Sequence, residues 1–215
     1  MLTSKEIIAK RAAEELKLGS VINLGIGIPT LVTKFVNAND FYIHTENGLL
    51  GVKELENKDQ FDPQIVNAGK FPIDEVVGAS YFDSASSFAM IRGGHIDVAI
   101  LGALQVDEQG YIANWAIPGK NILGVGGAMD LLVGAKKIIV TTNHLTKDGQ
   151  SKILRKCTYP ITSIRKIDMV ITEYAVFKYV DNQLVLTEIM PGSTLEIIKK
   201  YTEAHFVISE KLKQN

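Results

Sequence analysis

The segment VINLGIGIPT, residues 21–30, sets a short apolar run directly against a glycine turn. Val21–Leu24 has the length and apolar content of a buried strand, and Gly25-Ile26-Gly27 follows with no polar spacer. Pro29 suits a helix start, where its missing N–H would have had no partner. The spacing therefore predicts a helix over Thr30 to Val36. A strand that turns through glycine into a helix is the unit from which α/β folds are built. The sixth position of the motif is Thr30, where a dinucleotide fingerprint requires glycine, so that reading fails. Two readings stay open for the turn: a helix N-terminus offered to an anion, or a plain strand–helix connection.

Outward from this unit, helices and apolar strands alternate. Thr3 to Leu18 reads as a helix, with Thr3 and Glu6 as a capping box, Ile7, Ile8, Ala12 and Leu16 as its apolar face, and Gly19 as its stop. Phe41–Thr45 reads as a strand running into Glu46-Asn47-Gly48, and Ser84 to Arg92 as a helix stopped by Gly93-Gly94. Asp97–Leu101, Lys137–Thr142 and Asp168–Thr172 are apolar strands. Hairpins appear around Asp107-Glu108-Gln109-Gly110 and around Asp181-Asn182, which joins Ala175–Val180 to Gln183–Thr187. Ser193 and Glu196 form a second capping box, opening a helix over Leu195 to Tyr201. The expected fold is α/β: one domain over residues 1–215, with a mixed, mostly parallel sheet flanked by helices.

Composition narrows the function. In 215 residues, 23 Lys and Arg face 24 Asp and Glu, for a net charge of -1. No basic excess exists to hold a polyanion, so nucleic acid is excluded as the main partner. One cysteine builds neither an internal disulfide nor a thiolate metal site, and the 4 His show no ligand pair at helical spacing. No apolar run reaches the ~18 residues of a membrane span. The start of the chain lacks the layout of a signal peptide, so the expected location is cytoplasmic. Sixteen of the 18 glycines fall between Gly19 and Gly134, a density that suits tight turns and close backbone approach to a ligand.

Three glycine- or carboxylate-bearing turns invite chemistry. Glu46 follows a strand, where open α/β sheets place their sites. A carboxylate needs no base to become a nucleophile. The competing reading is an exposed glutamate in an Asn-Gly turn. Gly124-Val125-Gly126-Gly127 lets backbone N–H groups converge on an anion, as an oxyanion hole requires, or forms a loop before a helix over Ala128 to Val133. Arg92 and His95 can meet a carboxylate or phosphate, but the pattern favours Arg92 closing a helix C-terminus that Gly93 caps. Cys157 stands among Lys152, Arg155 and Lys156, positive neighbours that would lower its pKa. It has no paired His, and we read it as a plain residue. No Gly-x-Ser-x-Gly elbow supports a serine triad.

Taken together, VINLGIGIPT (21–30), TENGLLG (45–51), VNAGK (66–70), FAMIRGGHID (88–97), LGALQV (101–106), ANWAIPGK (113–120), GVGGAMDL (124–131) and LVLTEI (184–189) resemble one family. The chain looks like the B (beta) subunit of class I acetoacetate-type CoA-transferases, the 3-oxoacid and butyrate–acetoacetate enzymes. The resemblance implies the mixed α/β fold shared with ribose-phosphate isomerases. It implies Glu46 as the nucleophile, carrying a glutamyl-CoA thioester, and Gly127 as a backbone donor to the oxyanion. Contacts to CoA fall by the same carry-over to Gly25, Gly27, Asn47, Gly69, Lys70, Asn114, Lys120 and Gly126. Coenzyme A is then substrate and covalent intermediate, with no metal and no resident cofactor. A homologous A (alpha) subunit is implied, usually in an A2B2 heterotetramer, and the acids are butyrate or acetate with acetoacetate, or succinate with acetoacetate. The chain departs from the family at Thr45, where Ser is usual, at Lys53, where glycine is common, and over residues 71–78.

Overall fold

The computed structural model describes residues 2–213 except 56, 58, 60, 121 and 123. The helices are α1 (Ser4–Ala13), α2 (Ser84–Arg92), α3 (Ala128–Gly134), α4 (Leu195–Tyr201) and α5 (Glu210–Lys213). The strands are β1 (Val21–Leu24), β2 (Tyr42–Thr45), β3 (Leu49–Lys53), β4 (Asp74–Tyr81), β5 (Val98–Gly102), β6 (Gln105–Asp107), β7 (Ile112–Ala113), β8 (Lys137–Thr141), β9 (Ile153–Leu154), β10 (Met169–Ile171), β11 (Ala175–Val180), β12 (Gln183–Ile189) and β13 (Val207–Ile208).

A 10-stranded sheet runs β13-β12-β11-β10-β8-β5-β1-β2-β3-β4, and β7-β6-β9 form a small second sheet. The middle strands β10, β8, β5, β1 and β2 are mutually parallel, whereas β3 and β4 at one end and β11 and β12 at the other pair antiparallel. This is the mixed α/β architecture expected from the alternation of helices and strands. Strand periodicity splits the core into two clusters. Ala99, Leu101, Ile138, Val140 and Val170 point to one face with Ile91 of α2 and Leu131 and Leu132 of α3. Ile22, Ile43, Val98, Ile100, Ile139 and Ile171 point to the other with Ile8, Ala9 and Ala12 of α1. Both faces are covered, which is why the central strands read as unbroken apolar runs.

Several boundaries differ from expectation. The helix expected over Thr30 to Val36 is a 3-10 run, Pro29–Phe35. The Thr30 and Thr33 hydroxyls donate to the carbonyls of Gly27 and Thr30 at 2.7 and 2.8 Å, and these three-residue back-bonds suit the tighter winding. Helix α1 closes its capping box at Thr3 and Glu6 but ends at Ala13, where the chain tightens into turns through Leu16. The cap of α4 is Thr194, not Ser193: its hydroxyl accepts from Ile197 N–H at 3.3 Å. The hairpin at Asp181-Asn182 forms with both residues at positive φ, 49° and 63°, as a mirror-image turn requires. Strands β3 and β4 carry the sheet beyond the 45–48 turn, an extension the sequence reading missed.

Candidate active site

Glu46 leaves β2 at the C-terminal end of the parallel strands and is half-buried. Its turn, 45–48, is sewn to the 66–72 loop from both sides. The Thr45 hydroxyl donates to Asn47 Oδ1 at 2.6 Å and accepts from Ala68 N–H at 2.9 Å, while Asn47 Nδ2 donates to the Val66 carbonyl at 2.7 Å. Thr45 therefore does with its hydroxyl what serine would do at this position. Gly48, at φ 120°, passes so close to the Phe82 carbonyl that an added Cβ would lie 2.1 Å from it. No other residue fits there.

The face of the sheet below Glu46 carries a buried polar chain. Asn23 and His44 are register partners on adjacent parallel strands, 0% and 2% exposed. Asn23 Nδ2 stands 3.2 Å from Glu46 Oε2, 3.1 Å from His44 Nδ1 and 3.3 Å from the His44 carbonyl. His44 Nε2 lies 3.0 Å from Ser87 Oγ on α2, and the ring stacks on Phe82 at 5.9 Å. Burial pushes the His44 pKa down to about 4, so the ring is neutral near pH 7.

Gly127 caps α3 and is buried directly against the carboxylate. A Cβ built on it would meet Glu46 Oε1 at 3.4 Å and Cδ at 3.5 Å. Helix α3 reaches this position by packing tightly on α2, where a Cβ at Gly134 would lie 2.0 Å from the Ile91 carbonyl. Arg92 of α2 ties the pair by donating to Asp130 of α3 at 2.7 Å. That bond occupies Arg92 with a structural partner, and Gly93 caps the helix as expected.

The other sequence candidates lie in turns and loops. Gly25 packs on the β5 backbone, its N–H donating to the Ile100 carbonyl at 2.9 Å, and Gly27 is exposed at φ 98°. Gly69 lies against Ile26, which brings the 25–30 and 66–72 turns together. Lys70 is exposed at φ 62° in the loop that Asn67 Oδ1 organises by accepting from Gly69 and Phe71 N–H. Gly126, at φ 53°, is exposed beside Gly127. Asn114 spends its side chain on the Gly102 carbonyl and the Thr162 hydroxyl, and Lys120 is exposed at the end of the 117–120 turn. A cavity of about 370 Å³ opens beside β2, walled by Leu24, Ile26, Ile43, Val52, Phe71 and Ile73, with Lys34, Lys53 and Glu54 among its lining. Lys53, the departure noted in the sequence, thus faces this cavity. Cys157 sits far from this arrangement in chemical character. Burial first and Asp107 second push its thiol up to about 12, which overrides the three positive neighbours in sequence.

Sequence reasoning missed Asn23, His44 and Ser87. A signal for the first was present: Asn23 is a single polar residue inside an otherwise apolar strand, VINL. Such a residue must find a partner inside the protein.

The comparisons agree with the geometry. The family model described as coenzyme A transferase matches residues 5–201. The chain is 47% identical over 213 residues to the B subunit of a probable succinyl-CoA:3-ketoacid coenzyme A transferase of Bacillus subtilis, covering 99% of both chains. It is 47% identical over 214 residues to the beta subunit of an acetate CoA-transferase of Haemophilus influenzae, covering 99% of this chain and 96% of that one. Among solved structures, the thioester complex with CoA of the acyl-CoA transferase YdiF from Escherichia coli O157:H7 superposes with a TM-score of 0.79 at 26% identity. That match covers 99% of this chain but 43% of the YdiF chain, so the solved enzyme contains a further region of comparable size. The chain belongs to the coenzyme A transferase family, as a CoA-transferase subunit of the B type.

Proposed function

We propose that this chain transfers CoA between an acyl-CoA and a short carboxylic acid, with Glu46 as the nucleophile. One observation carries the reading: a carboxylate held at 3.2 Å by a buried amide, with Gly127 packed where an added Cβ would meet its other oxygen at 3.4 Å. A Glu46 oxygen attacks the thioester carbonyl and expels CoA thiolate, leaving a mixed anhydride between Glu46 and the acyl group. The thiolate then attacks the Glu46 carbonyl carbon and releases the first acid. Glu46 now holds CoA as a thioester, and a second acid reverses both steps. A thioester is exchanged for a thioester, so the sequence balances without ATP, oxidant or metal. Each attack passes through a tetrahedral oxyanion, and a well-placed donor to such an anion is worth about 3–4 kcal/mol. Gly127 N–H is the donor we assign. A carboxylate is a weak nucleophile toward thioesters, so binding of the remote parts of CoA must lower the barrier. Gly25, Gly27, Asn47, Gly69, Lys70, Asn114, Lys120 and Gly126 are the contacts we assign to that binding.

The relatives' names as B and beta subunits support an A-type partner, which we propose assembles with this chain as A2B2 in the cytoplasm. The apolar walls of the 370 Å³ cavity favour a short acyl chain, and acetate or butyrate with acetoacetate is the pair we prefer. Lys34 in its lining, half-exposed and shared with Glu6 at 3.3 Å, is the observation that favours the alternative, succinyl-CoA with a 3-oxoacid. Peptide mass spectrometry after adding acetoacetyl-CoA to the chain co-purified with its A-type partner tests the mechanism. A CoA-sized increase on the peptide containing Glu46, absent in Glu46→Ala, is the expected result. A folded, CoA-binding complex with no such adduct sinks it. Discharging the adduct with acetate, butyrate or succinate in parallel ranks the acids.

A further inference from the structure

Glu46 is held by an amide whose own orientation has to be set. Asparagine presents nitrogen on one side and oxygen on the other, and the two ends have the same shape. Around Asn23 the choice is forced. The His44 carbonyl and the Glu46 carboxylate are both acceptors, at 3.3 and 3.2 Å from Nδ2, so the nitrogen must face them. His44 Nδ1, 3.1 Å from the same nitrogen, would face a donor with a donor if it were protonated, so it is the nitrogen without the proton, sharing the two amide hydrogens with the other two acceptors. A neutral ring that accepts at Nδ1 carries its proton on Nε2, and that proton points at Ser87 Oγ, 3.0 Å away. Ser87 is 0% exposed, so no water substitutes for it freely. The arrangement has a cost that marks it as more than packing. Asn23 Oδ1 is buried and has no hydrogen-bond partner among the described residues. Buried acceptors are rarely left unpaired. Here the fold leaves one unpaired on the residue that touches the candidate nucleophile, and spends the nitrogen of the same amide on Glu46.

We propose that His44 and Ser87 are positioning residues: Ser87 fixes the His44 tautomer, His44 fixes the Asn23 amide, and the amide holds Glu46 in the attacking geometry. The inference rests on the assignment of Glu46 as nucleophile. Ser87 touches no substrate in this scheme, and His44, which also lines the 370 Å³ cavity, acts on Glu46 through Asn23. With Ser87 absent, the ring can move its proton to Nδ1. Two donors then face each other across 3.1 Å, and the amide must turn away or flip its oxygen toward Glu46. Either response frees the carboxylate or repels it. Phe82, stacked on the ring at an interplanar angle of 14°, resists rotation of the imidazole as an escape.

The test uses the complex with the A-type partner and reads the single-turnover rate of CoA adduct formation on Glu46, alongside KM for acetoacetyl-CoA. His44→Leu removes both ring nitrogens and should slow adduct formation by about 30-fold with KM changed by less than about twofold, because misplacing a reacting group costs rate rather than binding. His44→Asn restores an acceptor near the place of Nδ1 and should recover the rate to within about threefold of the unaltered complex. Ser87→Ala, a small change inside α2, should slow the step by about fivefold and carries the test if His44→Leu fails to fold. A wild-type rate in folded His44→Leu or in Ser87→Ala overturns the proposal, as does a His44→Asn variant no faster than His44→Leu. If the unaltered complex itself forms no adduct on Glu46, the nucleophile assignment fails and the positioning role falls with it. An adduct that forms equally fast in every variant removes the positioning role alone.

Discussion

Two buried histidines stand at the same end of the parallel strands and differ in what lies beyond their hydrogen bonds. His44, in β2, is bonded on both nitrogens, through Asn23 on one side to a half-buried carboxylate. His144, just past β8, is also bonded on both: Nδ1 to Thr172 at 2.9 Å after β10, and Nε2 to Thr202 at 3.0 Å at the end of α4. Tyr174 and Phe177 pack around the His144 ring. Burial is the leading cause that lowers both pKa values to about 4. By burial, pairing and titration the two are near twins. Only one chain of bonds ends on a group able to react; the other ends on hydroxyls that tie a helix to the sheet. A depressed pKa marks a buried polar residue, and the partner's partner says what it is for.

The contrast is sharpest at Gly127, on the nucleophile's side. Gly127→Val places a branched side chain where Cβ alone already meets Glu46 at 3.4 Å. Its φ of -82° is open to any residue, so the backbone tolerates the change. We expect kcat to fall by about 100-fold or more, near 3 kcal/mol, with the thermal midpoint nearly unmoved. Steady-state kinetics and a melting curve on the same preparation check both halves. A large drop in midpoint would place Gly127 with His144 among the structural groups.

Stability against pH should treat the two histidines alike. Each has a folded pKa near 4 against an ordinary 6.5. Above pH 6.5 both are neutral folded or unfolded and contribute no slope. Between about 6.5 and 4 the unfolded chain takes up the protons and the folded chain does not, so stability is lost as pH falls through that window. The loss approaches about 3 kcal/mol per histidine. Urea midpoints at pH 7 and pH 4.5 should draw closer together in His144→Gln, and by a similar amount in His44→Asn. An unequal response would show that the two environments are less alike than their hydrogen bonds suggest.

His144→Leu then separates them. It strips the bonding partner from the Thr172 and Thr202 hydroxyls and should cost about 2 kcal/mol of stability. Adduct formation per folded molecule should stay at the unaltered rate. A rate loss comparable to that of His44→Leu would erase the distinction between the two ends of the sheet.

How much of this was legible beforehand follows from what local sequence encodes. Ser84–Arg92 and Leu195–Tyr201 stand where caps and apolar spacing put them, because those signals act within a few residues. Glu46 and the Gly124–Gly127 loop were visible as turns, yet their approach depends on α2 and α3 packing through Gly134, which no local pattern records. Strand β4 escaped because its alternation is weak: it is the outer edge of the sheet, and Val77, Gly78 and Tyr81 are exposed. The Asn23–His44 pair escaped for a different reason. Asn23 looks like a flaw in its own strand, and only the parallel register makes the two residues partners. The 3-10 run was misjudged because threonine hydroxyls compete for the carbonyls an α-helix would use.

The smallest expected effect concerns Cys157, a half-buried titratable group that sharpens what burial does. Its backbone N–H donates to Asp107 Oδ2 at 3.2 Å, and the thiol lies near the Tyr111 carbonyl at 3.6 Å. Burial disfavours the thiolate, and the negative Asp107 disfavours it further, so the pKa rises to about 12. The thiolate, not the thiol, is what alkylates. At pH 8 a pKa near 12 leaves about one molecule in ten thousand ionised. Iodoacetamide should therefore modify Cys157 far more slowly than an exposed model thiol, and Cys157→Ala should leave the adduct rate on Glu46 unchanged. Rapid alkylation at pH 8 would mean that the Lys152, Arg155 and Lys156 neighbours outweigh Asp107. Placed beside the histidines, this residue completes a series. All three are shifted by burial, full for the histidines and partial for Cys157, but of the three His44 alone has a path of hydrogen bonds to the carboxylate, so the path rather than the shift separates a working group from a packed one.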